Sequence, residues 1–136
     1  MFIANKPSIL IIDDDTAILN TFARIFQRKG FCVAVAEKGQ DAMEKISSNH
    51  FDVALIDLCV SDMEGTKLCP LIRRTSPKTV KIILTEKTLA QNNIEGADVL
   101  LGKPIAIDDL LRVIDSKLKN RNIEISVQSE FILEKY

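Results

Sequence analysis

Neither charge sign is in excess in this sequence of 136 residues: 18 Lys and Arg stand against 19 Asp and Glu, a formal net charge of −1. That balance gives no electrostatic reason to bind nucleic acid or an anionic membrane surface. No helix-turn-helix pattern for DNA reading appears, and no apolar run is long enough to span a bilayer. The start of the chain lacks the charged-then-apolar layout of a secretory signal, because Lys6 and Pro7 interrupt it and Asp13, Asp14 and Asp15 follow closely. Cytoplasm is the expected compartment. The three cysteines, Cys32, Cys59 and Cys69, form no C-x-x-C pair and leave one odd, which argues against a disulfide framework. Cys32, in an apolar run, is expected to be a small core residue. The single histidine, His50, has no second His or Cys at metal-ligand spacing and reads as an exposed loop residue. The densest positive stretches, Arg73 with Arg74 and Lys117, Lys119 and Arg121, read as solvated helix faces.

What the sequence does contain is an alternation of short apolar runs and amphipathic stretches. Residues 8–12 (S-I-L-I-I), 31–36 (F-C-V-A-V-A), 52–57, 80–84 (V-K-I-I-L) and 98–101 read as strands. Between them lie helical stripes. Ile18, Leu19, Phe22, Ile25 and Phe26 recur at helical spacing, with Asp15 or Thr16 as the cap and Gly30 as the stop. A second helix opens at Gly39 and Gln40 and carries Ala42, Met43 and Ile46. A third starts near Thr66, where Pro70 falls in a first turn that tolerates it. Residues 87–95 are polar and predict a short or irregular fourth helix. A fifth begins at Asp108 and Asp109, with Leu110, Leu111, Ile114 and Leu118 as its buried stripe. Such alternation implies a doubly wound, flavodoxin-like parallel sheet of five strands in the order 2-1-3-4-5. The tail from Asn120 differs: Ile123, Ile125 and Val127 alternate like a strand, while Phe131, Ile132 and Tyr136 suit a short helix. The division expected is a domain over 1–119 and a tail over 120–136 that packs on the domain or on a second copy.

The stretch around which the rest is organised is Val53, Ala54, Leu55, Ile56 and Asp57, followed by turn formers from Ser61 to Gly65. In a parallel sheet Asp57 sits at the carboxyl edge, where open α/β sheets bind ligands. Asp13 and Asp14 follow the first strand, Thr85 ends the fourth and Lys103 follows the fifth. Taken singly, these residues have plain structural uses: helix cap, turn cap, strand end, surface cation. No folding rule places all of them at the tips of successive strands. Three carboxylates meeting there need a counter-charge, and an oxygen-only donor set suits Mg²⁺. A carboxylate such as Asp57 can then attack phosphorus and become an aspartyl phosphate, with Lys103 and the Thr85 hydroxyl answering the phosphoryl oxygens.

The segments I-L-I-I-D-D-D, A-L-I-D-L-C-V-S-D-M-E-G, I-I-L-T and G-A-D-V-L-L-G-K-P resemble the receiver domain of two-component response regulators, including the single-domain chemotaxis-type receivers. The resemblance covers roughly residues 8–119. It implies that Asp57 accepts a phosphoryl group from a histidine kinase or phosphotransfer protein and that a downstream protein partner reads the result. It implies that Asp14 holds Mg²⁺ directly, Asp13 mostly through water, and that the main-chain carbonyl of Cys59 completes the protein ligands. Thr85 and Lys103 would bind the phosphoryl group, and the Lys103–Pro104 bond is expected to be cis. The resemblance is to a switch rather than a turnover enzyme: it catalyses only its own phosphotransfer and dephosphorylation.

Four departures from the family pattern stand out. Leu100 occupies the aromatic switch position, Glu86 follows Thr85 where a small residue is usual, Ser61 replaces a proline, and the segment from Thr85 to Lys103 is short. They predict readout through the 57–65 loop or the first helix instead of the fourth helix. Glu86, Leu100 and the short fourth helix also motivate an alternative, a receiver fold used as a phosphorylation-independent binding module. A phosphohydrolase is disfavoured because Cys59 stands where such enzymes carry a second aspartate as general acid. Oligomeric state stays open, a homodimer included.

Overall fold

Apolar residues in β1 (Ser8–Ile12), β3 (Val53–Asp57) and β4 (Val80–Glu86) are buried on both strand faces, as strands in the middle of a covered sheet must be. A computed structural model of the chain describes residues 6–58, 60, 62–63, 65–86 and 94–122. The remaining elements are α1 (Thr16–Arg28), β2 (Cys32–Ala36), α2 (Gly39–Ser48), α3 (Gly65–Thr75), β5 (Val99–Lys103) and α4 (Ile107–Asn122). All strands pair in parallel in the order β2-β1-β3-β4-β5, as the sequence predicts.

Alternation along each strand sorts side chains to two faces. Leu10, Ile12, Ala54, Ile56 and Ile83 point to one face, where they pack with Ala42 and Ile46 of α2 and Leu68, Cys69 and Ile72 of α3. Ile9, Ile11, Val53, Leu55, Ile82 and Leu84 are equally buried on the opposite face, and right-handed crossovers put α1 there. Burial of each large apolar side chain contributes about 1.5–3 kcal/mol, so a one-residue slip of any central strand would exchange the two faces at prohibitive cost. α1 starts where Asp15 Oδ1 accepts hydrogen bonds from the N–H groups of Ala17 (2.9 Å) and Ile18 (3.3 Å). Gly30, at φ 96°, turns the chain out of α1, and Phe26 anchors the helix with edge-on contacts to Phe22 and Phe31.

Several elements differ from their sequence-based bounds. β4 runs through Thr85 to Glu86, and β5 continues through Lys103. Ladder pairing of Thr85 with Gly102 and Glu86 with Lys103 holds these residues extended, so Lys103 ends the strand instead of following it. Cys32 is exposed, not a core residue. It opens β2, an edge strand with only one neighbour. Pro70 sits inside α3, beyond the first turn, because the helix opens at Gly65. Its missing N–H therefore removes one intrahelical bond. Of the stripe expected in the last helix, Leu110 and Ile114 are buried and Leu111 and Leu118 half-buried, and that helix, α4, continues to Asn122. Among the described residues, 6–104 and 105–122 belong to two separate compact units. His50 is exposed and lies 3.4 Å from Asp52, and Arg73 and Arg74 are solvated. The expected short helix over 87–95 falls mostly, and the 123–136 part of the tail wholly, outside the described residues.

Candidate functional site

Parallel pairing brings the carboxyl ends of β1, β3, β4 and β5 to one edge, and the site is assembled there. Asp13 follows β1 directly. Its N–H donates to the carbonyl of Ala36 (3.1 Å), and its Oδ1 accepts from the N–H of Asp15 (2.9 Å). These bonds fix a carboxylate that is only 4 % exposed. Asp14, next in the chain, is exposed. Asp57 ends β3, in register with Leu84 of β4. One carboxylate oxygen from each of Asp13, Asp14 and Asp57 lies within 4.8 Å of the others.

At that spacing two full charges repel by about 3 kcal/mol in an effective dielectric of ~20. The Asp13 carboxyl is accordingly held above its usual range. Burial is the largest cause and the charges of Asp57 and Asp14 add to it, against the opposing Asp15 N–H and Lys103. Lys103 Nζ stands 2.9 Å from Asp57 Oδ1. Burial by itself would pull the lysine down; the hydrogen bond and charge of Asp57, then Asp13 and Glu86, more than offset this and raise it. Lys103 is therefore a cation at neutral pH, committed to Oδ1. Oδ2 of Asp57 has no hydrogen bond among the described residues.

Thr85 is 2 % exposed, and its Oγ1 has no hydrogen-bond partner among the described residues. An orphaned buried hydroxyl costs about 1–3 kcal/mol, a cost that is understandable where a ligand supplies the missing partner. The loop leaving Asp57 is tightly closed: Leu58 N–H bonds to Leu84 O (3.0 Å) and Gly65 N–H returns to Leu58 O (2.8 Å). A Cβ on Gly65 would lie 3.0 Å from Leu58 Cα, so a side chain there would press on the Leu58 backbone.

Of the residues singled out in the sequence, the structure brings together Asp13, Asp14, Asp57 and Lys103. It buries Thr85 one step beyond Leu84, the register partner of Asp57. Cys59 and Ser61 lie outside the described residues. Leu100 packs against the buried cluster, and Lys103–Pro104 is cis. Sequence reasoning missed two features. Lys81 is buried, with Nζ bonded to Thr79 O (2.7 Å) and 3.2 Å from Asp98; a lysine flanked by Val80 and Ile82 was the available signal. Asp62 caps α2 from the 57–65 loop, a contact between residues too far apart in sequence for local pattern to show.

Residues 9–115 match the response regulator receiver domain family. This chain belongs to that family, and so is a receiver domain of two-component signalling. It is 28 % identical over 120 residues to the response regulator MprA of Mycobacterium ulcerans (strain Agy99), an alignment covering 85 % of this chain and 52 % of that protein. The chain thus spans about half the length of the curated relatives it matches. Among solved structures it is similar to a CheY-like receiver domain protein from Methanospirillum hungatei JF-1, with 34 % identity and a TM-score of 0.80, covering 88 % of this chain and 99 % of that one. It shares its fold with the response regulator TrrA of Thermotoga maritima, solved in complex with Mg²⁺-BeF, at 23 % identity and a TM-score of 0.75, covering 82 % of this chain and 98 % of that one. Among the described residues no helix is long and apolar enough to cross a membrane.

Proposed function

We propose that Asp57 is the phosphoacceptor of this receiver domain, taking a phosphoryl group from the phosphohistidine of a histidine kinase or phosphotransfer protein in a Mg²⁺-dependent reaction. The observation that carries this reading is the convergence of Asp13, Asp14 and Asp57 within 4.8 Å, with Lys103 bonded to one oxygen of Asp57. The donor set is all oxygen and partly buried, which fits Mg²⁺. Asp13, Asp14 and Asp57 would hold the ion, with the main-chain carbonyl of Cys59 as a further ligand. When bound, Mg²⁺ supplies the positive charge that the carboxylates and an incoming phosphoryl group share.

The chain's own residues do the rest. Lys103 fixes Oδ1, which leaves Oδ2 of Asp57 as the nucleophile. Oδ2 forms a bond to phosphorus while the P–N bond to the donor imidazole breaks, and the imidazole nitrogen keeps that electron pair. Lys103 is then placed to neutralise one phosphoryl oxygen. The buried Thr85 hydroxyl gains an acceptor when a second reaches it. The module is a switch that catalyses only its own phosphorylation and dephosphorylation, and a downstream protein partner reads the outcome. The functional domain is residues 1–119, with 120–136 an extension that packs on it or on a second copy in a homodimer. The cytoplasm is its compartment.

Incubation with acetyl phosphate and Mg²⁺, followed by intact-mass measurement, tests the assignment. One added phosphoryl group is expected, lost with Asp57→Asn and with EDTA. No uptake from acetyl phosphate or from any phosphohistidine donor would overturn it.

A further inference from the structure

The first turn of α2 has no cap from its own segment. Lys38, at the N-cap position, makes no side-chain hydrogen bond there. The cap comes instead from the loop that leaves Asp57: Asp62 Oδ1 accepts from Gly39 N–H at 2.7 Å and Oδ2 from Gln40 N–H at 3.1 Å. Both carboxylate oxygens are thus spent on main-chain donors at the positive end of one helix, the charge-assisted arrangement that binds most firmly there. Gly39 is what lets the loop come so near. A Cβ at that position would lie 2.9 Å from Met63 Cβ and 3.3 Å from Asp62 Oδ1. The same loop is tied at its base to β4 by the Leu58–Leu84 bond and closed by the Gly65–Leu58 bond. It is therefore held at its base beside Asp57, and within the loop Asp62 is held on α2.

We propose that Asp62 is a positioning residue that couples the phosphoacceptor loop to α2, so that the state of Asp57 is reported at the first turn of that helix. This rests on the switch reading of Asp57 and adds the direction in which the signal leaves. Movement of the loop at Asp62 is passed to the Gly39 and Gln40 amides through the two hydrogen bonds of its carboxylate. The two N–H groups are thus the built-in reporters. Coupling of this kind runs both ways: whatever grips the first turn of α2 also acts on the loop.

The test is the amide spectrum of the full chain, with and without Mg²⁺ plus beryllofluoride as the phosphoryl mimic. Each variant is compared with its own unliganded form, so that a static effect of the substitution cancels. In the unsubstituted protein the Gly39 and Gln40 resonances should move on addition of the mimic. In Asp62→Ala that movement should fall at least severalfold, while the shifts around Asp13 and Thr85 persist. Asp62→Asn keeps one acceptor oxygen, so it should retain the Gly39 shift and lose that of Gln40. Equal movement of both amides in Asp62→Ala would overturn the coupling, as would still amides in the unsubstituted protein whose Asp13 and Thr85 resonances shift. Absence of shifts at Asp13 and Thr85 as well would defeat the switch reading, and the coupling with it.

Discussion

The ammonium of Lys103 rests 2.9 Å from Oδ1 of Asp57, and by that contact one lysine answers for a cluster of three carboxylates. The cluster is left net negative, which destabilises the fold until a further cation arrives. Neutralising its most buried member should therefore stabilise the metal-free protein. Asp13→Asn preserves an oxygen to accept the Asp15 N–H and removes repulsion with Asp57 and Asp14. After allowance for the lost attraction to Lys103, a gain of about 1–2 kcal/mol is expected. Mg²⁺ should raise the melting temperature of the unsubstituted chain, by about 2.7 kcal/mol of added stability at a hundredfold excess over its Kd. The Asp13→Asn variant should respond much less. Thermal melts with EDTA or graded Mg²⁺ measure both effects, and a destabilised, Mg²⁺-responsive Asp13→Asn would contradict the crowding argument.

Thr85 offers a second separation of stability from function. Its Oγ1 is buried and unpartnered among the described residues, so Thr85→Val replaces a costly hydroxyl with a methyl of the same shape. Stability without ligand should rise by about 1 kcal/mol. Affinity for beryllofluoride with Mg²⁺ should fall about tenfold, as loss of one hydrogen bond to a charged group would produce. Urea midpoints and a beryllofluoride titration followed by amide shifts read the two quantities independently. A variant that loses stability and keeps its affinity would show the hydroxyl to be a structural group.

The sheet order and the site edge were legible because both follow from local signals. Short apolar runs bounded by turn signals, such as residues 8–12 and 53–56, read as buried strands, and each is followed directly by a residue that carries the chemistry. Strand length was less legible at β4 and β5. Nothing in Glu86 or in Gly102 and Lys103 favours a strand, and only the pairing of Thr85 with Gly102 and Glu86 with Lys103 extends them. Cys32 misled because β2 is apolar in composition yet lies at the sheet edge. Position in the sheet is a tertiary fact that hydropathy does not encode. Pro70 misled through the start of α3, which the Gly65–Leu58 bond helps to place. Asp62 read as a turn former, and its use as the cap of a helix earlier in the chain has no local signature.

The thiols differ sharply in environment. Cys69 is fully buried in α3, and burial pushes its pKa up to about 12, with Lys81 and Asp98 as smaller, opposing influences. At a pH of about 8 its thiolate fraction is on the order of one in ten thousand. Cys32 is exposed. Iodoacetamide on the folded chain should therefore modify Cys32 and spare Cys69, and urea should abolish the difference. Peptide mapping after a timed quench measures it. Labelling of Cys69 at the Cys32 rate in the folded protein would mean that α3 opens readily at Pro70.

Asp62 should leave its mark on acid stability. The N–H groups of Gly39 and then Gln40 hold its carboxyl below the ordinary 3.8, partial desolvation opposing them and its own N–H and Lys38 helping a little. A carboxyl with a depressed folded-state pKa binds fewer protons when folded than when unfolded, so its contribution is complete above about 3.8 and is lost as pH falls through the folded value. Asp62→Asn has no such titration. The stability difference between the two proteins should therefore stay level from neutral pH down to about 5 and shrink below about 4. Urea midpoints across that range supply the measurement, and Glu44→Gln, an exposed change on the same helix with no cap to lose, serves as the control. A difference that widens with acidification would mean that the carboxylate is not held by those two amides in solution.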